Sequence, residues 1–277
     1  MDSLPEPTTE EGREGLAAVL DQPQRALVAL DFDGTLAPVV PDPEQSRPHP
    51  DVLPALSRLA PVIAGVAVIT GRPAAVAARL GGFADAPGLE RLTVLGAYGA
   101  ERWDAATGEL RTPPPHPGIA AARSALPAVV RESGPDAVIE DKGGALAVHT
   151  RRSADPAGTL AALREPLAAL ASRCGLAVEP GRFVLELRPP GTDKGMALAE
   201  LVARVEPAAV LYAGDDLGDL AAFETVAKLR ASGVAGLRVC SGGEEVPAAV
   251  TAVADLVVPG PPGVAALLTA LADTLRP

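Results

Sequence analysis

The sequence predicts a doubly wound α/β fold, a mostly parallel sheet with helices on both faces and a smaller α/β insert. Three observations predict it. Short, nearly continuous apolar runs recur with helical stretches between them, as expected of strands covered on both faces and joined by helical crossovers. The hydrophobic content of 48% comes mostly from Ala, Val and Leu with only 3% aromatics, which suits helices and parallel strands better than an aromatic-rich binding surface. Two Pro-rich segments, Pro113-Pro114-Pro115-His116-Pro117-Gly118 and Pro189-Pro190-Gly191, break the rhythm and bracket the insert.

Taken in order, Met1 to about Glu14 is rich in Glu and Pro and lacks the apolar run of a signal peptide, so residues 1–14 are expected to form a disordered acidic tail. Strands are expected at Ala26–Leu30, Gly65–Ile69, Leu92–Leu95, Val210–Ala213, Leu237–Val239 and Leu256–Val258. Helices are expected at Val52–Leu59, Ala74–Leu80, Lys194–Val205, Leu220–Ser232, Val246–Val253 and Gly263–Leu275. Pro73 and Pro262 suit a first helical turn, and Asp193 suits the cap before Lys194. These form a discontinuous core of residues 15–112 and 191–277. The insert, residues 113–190, reads as helix (Ile119–Arg131), two strands (Ala137–Glu140, Ala145–Thr150), helix (Pro156–Arg173) and two strands (Leu176–Val178, Phe183–Leu187).

The 277 residues carry a formal charge of −11, which repels nucleic acid and anionic membranes and requires a metal to draw in an anionic substrate. No apolar run approaches the ~18 residues of a membrane span. Cys174 and Cys240 lie outside any metal-ligand spacing and read as reduced, partly buried thiols of a cytoplasmic protein, which excludes structural zinc.

Chemistry concentrates at predicted strand ends. Asp31 and Asp33 in Asp31-Phe32-Asp33-Gly34-Thr35 follow the first strand, where ligands of open α/β sheets gather. Residues two apart can point the same way while Phe32 turns to the core; alone, the run also fits a plain Asp-Gly turn. Thr70-Gly71-Arg72 follows the second strand, where a hydroxyl and turn amides can grip a phosphoryl oxygen, although Thr70 alone also reads as a helix cap. Lys194, in Gly191-Thr192-Asp193-Lys194-Gly195, stands at a helix start that disfavours a cation unless an anion is near; a solvated lysine is the plain alternative. Gly214-Asp215-Asp216-Leu217-Gly218-Asp219 places three carboxylates at another strand end. It reads either as a solvated loop or, beside Asp31 and Asp33, as a group needing a divalent cation.

Together, in this order, the four pieces resemble the four motifs of the haloacid-dehalogenase superfamily. The resemblance implies a core of that type in which Asp31 attacks phosphorus. Asp33 then protonates the leaving oxygen and later activates the water that hydrolyses the aspartyl-phosphate. Thr70 and Lys194 would hold phosphoryl oxygens, with Gly71 and Arg72 also on the substrate. Mg²⁺ would be bound by Asp31, the Asp33 backbone carbonyl and Asp215, with Asp216 or Asp219 ligating it or orienting its waters.

The insert lies where the superfamily carries a larger substrate-selecting cap, and there the chain resembles trehalose-6-phosphate phosphatases. The matching segments include Leu30–Pro38, Gly96–Glu101, Glu140-Asp141-Lys142, Ala147–Arg151, Glu186–Gly195 and Tyr212–Asp216. The resemblance implies that Glu140, Lys142 and Glu186 reach hydroxyls of the sugar remote from the phosphate, with Arg151 supporting them. It also implies cap closure about the two linkers and, in cells, a link to the synthase that makes trehalose 6-phosphate; a monomer is expected. A cap-sheet ion pair among these residues is the plain alternative, and His149 is expected to face the cap interior. The chain departs from the family pattern in Gly214–Ala221, where a Thr and later acids are lost, and at Tyr98, which replaces a His. The rivals are a phosphatase for another sugar phosphate, such as sucrose phosphate or mannosyl-phosphoglycerate, and a non-catalytic sugar-phosphate sensor or regulatory partner of the synthase.

Overall fold

The computed structural model describes residues 4–275 except 115, 182 and 245. Met1–Ser3 of the expected tail and Pro115 of the expected linker therefore lie outside the described residues. Two units emerge, Met1–Thr112 with Asp193–Pro277, and Pro113–Thr192. The chain begins with α1 (Glu10–Asp21), β1 (Ala26–Leu30), α2 (Val52–Leu59), β2 (Gly65–Ile69), α3 (Ala74–Gly81), β3 (Leu92–Gly96), β4 (Glu101–Asp104) and β5 (Leu110–Arg111). The second unit adds α4 (Pro117–Ser133), β6 (Val138–Asp141), β7 (Leu146–His149), α5 (Pro156–Cys174), β8 (Ala177–Gly181) and β9 (Val184–Arg188). The first unit resumes with α6 (Lys194–Val205), β10 (Ala209–Gly214), α7 (Leu220–Ala231), β11 (Ala235–Gly242), α8 (Ala248–Val253), β12 (Leu256–Pro259) and α9 (Gly260–Thr274).

Among the described residues the larger sheet has eight strands in the order β12-β11-β10-β1-β2-β3-β4-β5. β12 through β3 are parallel, and β4 and β5 add an antiparallel edge. All five residues of β1 are buried, because side chains alternate between two covered faces. Val28 and Leu30 join a core with α2 and α9, whereas Leu27 and Ala29 join one with α6 and α7. This is the doubly wound α/β architecture that the apolar runs predict. No helix among the described residues is long and apolar enough to cross a membrane.

Three elements differ from expectation. The tail is not disordered throughout, because α1 begins at Glu10 with the Thr9 side chain accepting from the Gly12 amide. Its apolar positions are sparse, and long-range bonds hold the segment: the Thr8 amide donates to the Asp255 carbonyl at 2.7 Å and the Thr9 hydroxyl to the Asp255 carboxylate at 2.7 Å. The β4–β5 hairpin departs from the sequence expectation because a sheet edge has few buried neighbours and its residues are mostly polar; Arg102 within it and Thr93 of β3 both donate to Asp104. β11 extends beyond Leu237–Val239 on both sides, since Gly236 and Ser241 interrupt the apolar run yet stay in register with β10 and β12, Ser241 also donating to the Gly34 carbonyl.

Asp255 is fully buried and accepts from Thr9, Arg230 and Arg238. Burial acts against the ionised form, yet the hydrogen bonds from Arg238 and Arg230 bring its pKa down to about 2. A folded-state value below the unfolded one near 3.9 stabilises the fold above that pH, and the contribution fades as pH falls from about 4 through about 2. In urea unfolding across pH, Asp255→Asn is expected to flatten this acid limb by roughly 2 kcal/mol. An acid limb identical to the parent's would remove Asp255 from this role.

The second unit carries a four-stranded antiparallel sheet in the order β6-β7-β9-β8. Its α4 and α5 pack on one sheet face, where Leu146, Val148, Leu185 and Leu187 meet Ile119, Leu126, Leu163 and Leu167. Directly paired residues share a face, so the opposite face carries Glu140, Ala147 and Glu186 in one row and Val138, His149 and Val184 in the next.

Candidate active site

Asp31 immediately follows β1, and its amide donates to the Ala213 carbonyl of β10 at 2.8 Å. The next residue, Phe32, turns into the core edge-on to Phe83. Gly34 then takes a left-handed φ of 79° and passes so close to Asp215 that a Cβ would lie 2.0 Å from its carboxylate. No other residue type fits that turn. The Thr35 hydroxyl donates to Asp215 at 3.2 Å, which ties the first strand end to the β10 end.

Lys194 is 3% exposed, not a solvated lysine. Asp193 caps α6 by accepting from the Met196 amide at 2.7 Å, and the Lys194 Nζ lies 2.9 Å from Asp31 and 2.8 Å from Asp219. Asp219 Oδ1 also accepts from the Tyr212 hydroxyl at 2.6 Å, while Oδ2 accepts from the amides of Asp215 and Asp216 at 2.9 and 3.0 Å. Four donors match the roughly four lone-pair sites of a carboxylate. Asp216 lies further out, 3.7 Å from Lys194, and accepts from the Gly218 amide.

Asp31, Asp215 and Asp219 present carboxylate oxygens within 4.8 Å of one another, a group able to hold a metal ion. Burial, only partly opposed by Lys194, pushes Asp31 well above the usual carboxylate range, with Asp219 and Asp215 adding to the rise. Burial likewise raises Asp215 to about 8, reinforced by Asp219 and Asp216. Asp219 goes the other way: despite burial, Lys194 and the Tyr212 hydroxyl hold it below the usual range. One lysine charge is thus shared between Asp31 and Asp219 in a group of three crowded acids, which leaves a charge balance that a bound cation completes.

Asp33 faces different partners. Arg72 makes a two-pronged contact with its carboxylate at 2.6 and 2.7 Å, and the Ser46 hydroxyl donates to it at 3.1 Å. The Arg72 guanidinium lies 5.5 Å from the Phe32 ring centroid and donates to the Pro43 carbonyl. Arg72, expected on substrate, therefore grips Asp33, since a planar fork matches a carboxylate as well as a phosphate. Thr70 is buried, with its hydroxyl accepting from the Arg72 amide at 3.2 Å. Gly71 passes close under the Tyr98 ring, where a Cβ would lie 2.8 Å from the phenol oxygen and push that side chain aside. Tyr98 itself, with Ala97, adopts the strained left-handed backbone region.

In the second unit, Lys142 Nζ donates to Glu186 Oε2 at 2.5 Å, so the expected ion-pair alternative is realised between these two. Glu186 is 5% exposed, and its Oε1 is buried with no partner among the described residues. Glu140 Oε2 lies 2.8 Å from the Nε2 of His149. His149 therefore does not face the interior of the unit, because Val148, one position earlier, takes that face. Arg151 is exposed in the turn after β7, with no side-chain hydrogen bond or ion pair to another described residue.

Sequence reasoning missed Ser46, Thr35, Tyr212 and His149 as polar partners in these groups. Tyr212 left a signal, a phenol inside an otherwise apolar strand that must find a hydrogen bond. Ser46, in the polar run Pro43–Arg47, left none.

A central parallel strand followed by Asp-x-Asp, with Thr70 and further acids at adjoining strand ends and Lys194 at the start of α6, defines a fold of the haloacid-dehalogenase type. A solved haloacid dehalogenase-like hydrolase from Bacteroides thetaiotaomicron shares the fold, with a TM-score of 0.57 at 18% identity over 88% of this chain and 98% of its own. The chain belongs to the trehalose-phosphatase family, whose profile matches residues 29–254. A trehalose-phosphate phosphatase of Mycobacterium marinum is 32% identical over 245 residues, covering 82% of this chain and 57% of the relative, so the chain spans little more than half of that protein. The C-terminal domain of a C. albicans trehalose-6-phosphate phosphatase superposes with a TM-score of 0.75 at 22% identity, covering 98% and 99% of the two chains.

Proposed function

We propose that the chain hydrolyses trehalose 6-phosphate to trehalose and inorganic phosphate with Mg²⁺. The observation that carries this reading is the buried contact of Lys194 with Asp31 beside Asp215, in a chain of the trehalose-phosphatase family. An oxygen of Asp31 forms a bond to phosphorus as the bond to the sugar's 6-oxygen breaks, and Asp33 gives that oxygen its proton. Asp33 then takes a proton from the water that attacks the aspartyl-phosphate, which regenerates Asp31 and releases phosphate. Lys194 and Thr70 face the phosphoryl oxygens, and Arg72 with Ser46 holds the carboxylate that moves the proton.

Asp31, Asp215 and the Asp33 backbone carbonyl would hold the cation. Asp219, with its oxygens engaged by four donors, orients the group. When bound, Mg²⁺ neutralises charge between the carboxylates and a dianionic phosphate. The discontinuous core supplies this chemistry and the 113–190 cap supplies selectivity. In the cap, the buried Oε1 of Glu186 supports recognition of a donor group, as a sugar hydroxyl is.

Two measurements test the reading. Across a panel of trehalose 6-phosphate, sucrose phosphate, mannosyl-phosphoglycerate and p-nitrophenyl phosphate, the first is expected to be hydrolysed with the highest kcat/KM, and only with Mg²⁺. Weak, undiscriminating release would overturn the assignment, and no release from any substrate would favour a sensor. Because Asp215 is raised to about 8 by burial and its neighbours, protons compete with the cation. The Mg²⁺ concentration for half-maximal activity is therefore expected to fall as pH rises from 6 to 8, and a half-maximal concentration independent of pH would contradict the proposed ligand set.

A further inference from the structure

β10 reads Ala-Val-Leu-Tyr-Ala-Gly and is buried at every position, so its one polar side chain, Tyr212, brings a hydroxyl into an apolar layer. The ring packs in the core shared with α6 and α7, edge-on to Phe223 with centroids 5.8 Å apart. A phenylalanine would fill the same space, since a buried phenol adds only a hydroxyl that must then find a partner. That partner is Asp219 Oδ1 at 2.6 Å, the same oxygen that meets Lys194 Nζ at 2.8 Å. Oδ2 is held separately by the amides of Asp215 and Asp216. Lys194 Nζ in turn lies 2.9 Å from Asp31, so one ammonium is shared between two carboxylates.

We propose that Tyr212 is a positioning residue for the phosphoryl step, its hydroxyl fixing the Asp219 oxygen against which Lys194 is set, and this rests on the proposed function. Two physical effects act together. A phenol carried on a central strand fixes where Oδ1 stands, whereas the long flexible stem of Lys194 imposes no such constraint. The hydroxyl also satisfies an acceptor site of Oδ1 that the ammonium would otherwise draw on. Without it, Lys194 is the one side-chain donor left on Oδ1 among the described residues. The ammonium then moves toward Asp219, away from Asp31 and the phosphoryl oxygens. Burial, with Asp219 adding to it, holds the phenol well above its usual range, so the group stays a donor.

The test compares full-length wild type, Tyr212→Phe, Asp219→Asn, the Tyr212→Phe/Asp219→Asn double variant and Val226→Ala at saturating Mg²⁺, on trehalose 6-phosphate and on p-nitrophenyl phosphate. Phe keeps the ring against Phe223, so Tyr212→Phe is expected to fold, and Val226→Ala loosens the same core without touching the hydroxyl. Per folded enzyme, Tyr212→Phe is expected to lose roughly tenfold in kcat on both substrates, as removal of a hydrogen bond to a charged group predicts. KM is expected to change less than about threefold, because Lys194 serves charge that shifts as Asp31 attacks. The ratio of kcat/KM for the two substrates is expected to hold, because the phosphoryl group is common to both. In the Asp219→Asn background the same change is expected to cost under about twofold, since no charged Asp219 oxygen then competes for Lys194. Val226→Ala is expected to keep kcat within about twofold of wild type while losing resistance to urea. A Tyr212→Phe kcat within about twofold of wild type, a loss confined to KM, an equal kcat loss in Val226→Ala, or additive losses in the double variant would each overturn the proposal. If wild type shows no preference for trehalose 6-phosphate, the functional reading fails by itself, and the p-nitrophenyl phosphate arm still decides the role of Tyr212. Release from neither substrate would overturn both.

Discussion

Asp31→Asn is expected to reduce phosphate release from trehalose 6-phosphate by roughly 10⁴-fold or more, because an amide cannot supply the attacking oxygen and nucleophile losses in comparable enzymes reach this size. The fold is expected to survive, since Asn keeps the size of Asp and Lys194 retains its contact with Asp219. Removing an acid that burial and Asp219, Asp215 and Asp216 already push toward protonation relieves repulsion, so resistance to urea is expected to match or exceed that of the parent. The decisive readouts are steady-state phosphate release and covalent labelling from radiolabelled substrate, with the variant taking up no label. Turnover within tenfold of the parent would rule out Asp31 as nucleophile.

Asp219→Asn is expected to damage both stability and turnover. Its carboxylate is fully buried and accepts from Lys194, Tyr212 and two backbone amides. An amide in its place keeps one acceptor oxygen and turns a donor toward groups that are themselves donors. Removing one partner of a buried ion pair costs on the order of 3–5 kcal/mol, mostly from the charge left uncompensated. Here Asp31 still faces Lys194, so a loss of about 3 kcal/mol in urea unfolding is expected. Turnover is expected to fall roughly hundredfold, because a misplacement of about an ångström near the chemistry has that effect. A variant within 0.5 kcal/mol of the parent, a margin typical of ordinary surface changes, and with parental kcat would show that Asp219 organises nothing.

Much of the core was legible because a doubly wound sheet buries its strands on both faces. The run Ala26–Leu30 is apolar at every position, and β1 has the same bounds; β2 and α6 likewise keep theirs. Elements whose stability comes from distant polar contacts were not legible. Nothing in Glu10–Asp21 announces that Thr8 and Thr9 are bonded to Asp255, some 246 residues away along the chain. The edge strands β4 and β5 are too polar and short to stand out. His149 was assigned to the wrong face because a one-residue change in strand phase exchanges inside for outside, and the short run Ala145–Thr150 does not set that phase by itself.

By itself the sequence determined the fold class, the order of the parallel strands and of the helices between them, and the candidate groups at strand ends and a helix start: Asp31, Asp33, Thr70, Lys194 and Asp215. These follow from local pattern, since hydrophobic periodicity and strand-end position are properties of neighbouring residues. Only the tertiary structure decided how those groups are paired. It set Lys194 between Asp31 and Asp219, turned Arg72 onto Asp33, engaged both oxygens of Asp219 and left Oε1 of Glu186 without a partner among the described residues. The physical reason is that charge pairing depends on distances of 3 Å or so between side chains far apart in sequence, and such distances exist only once the strands are in register.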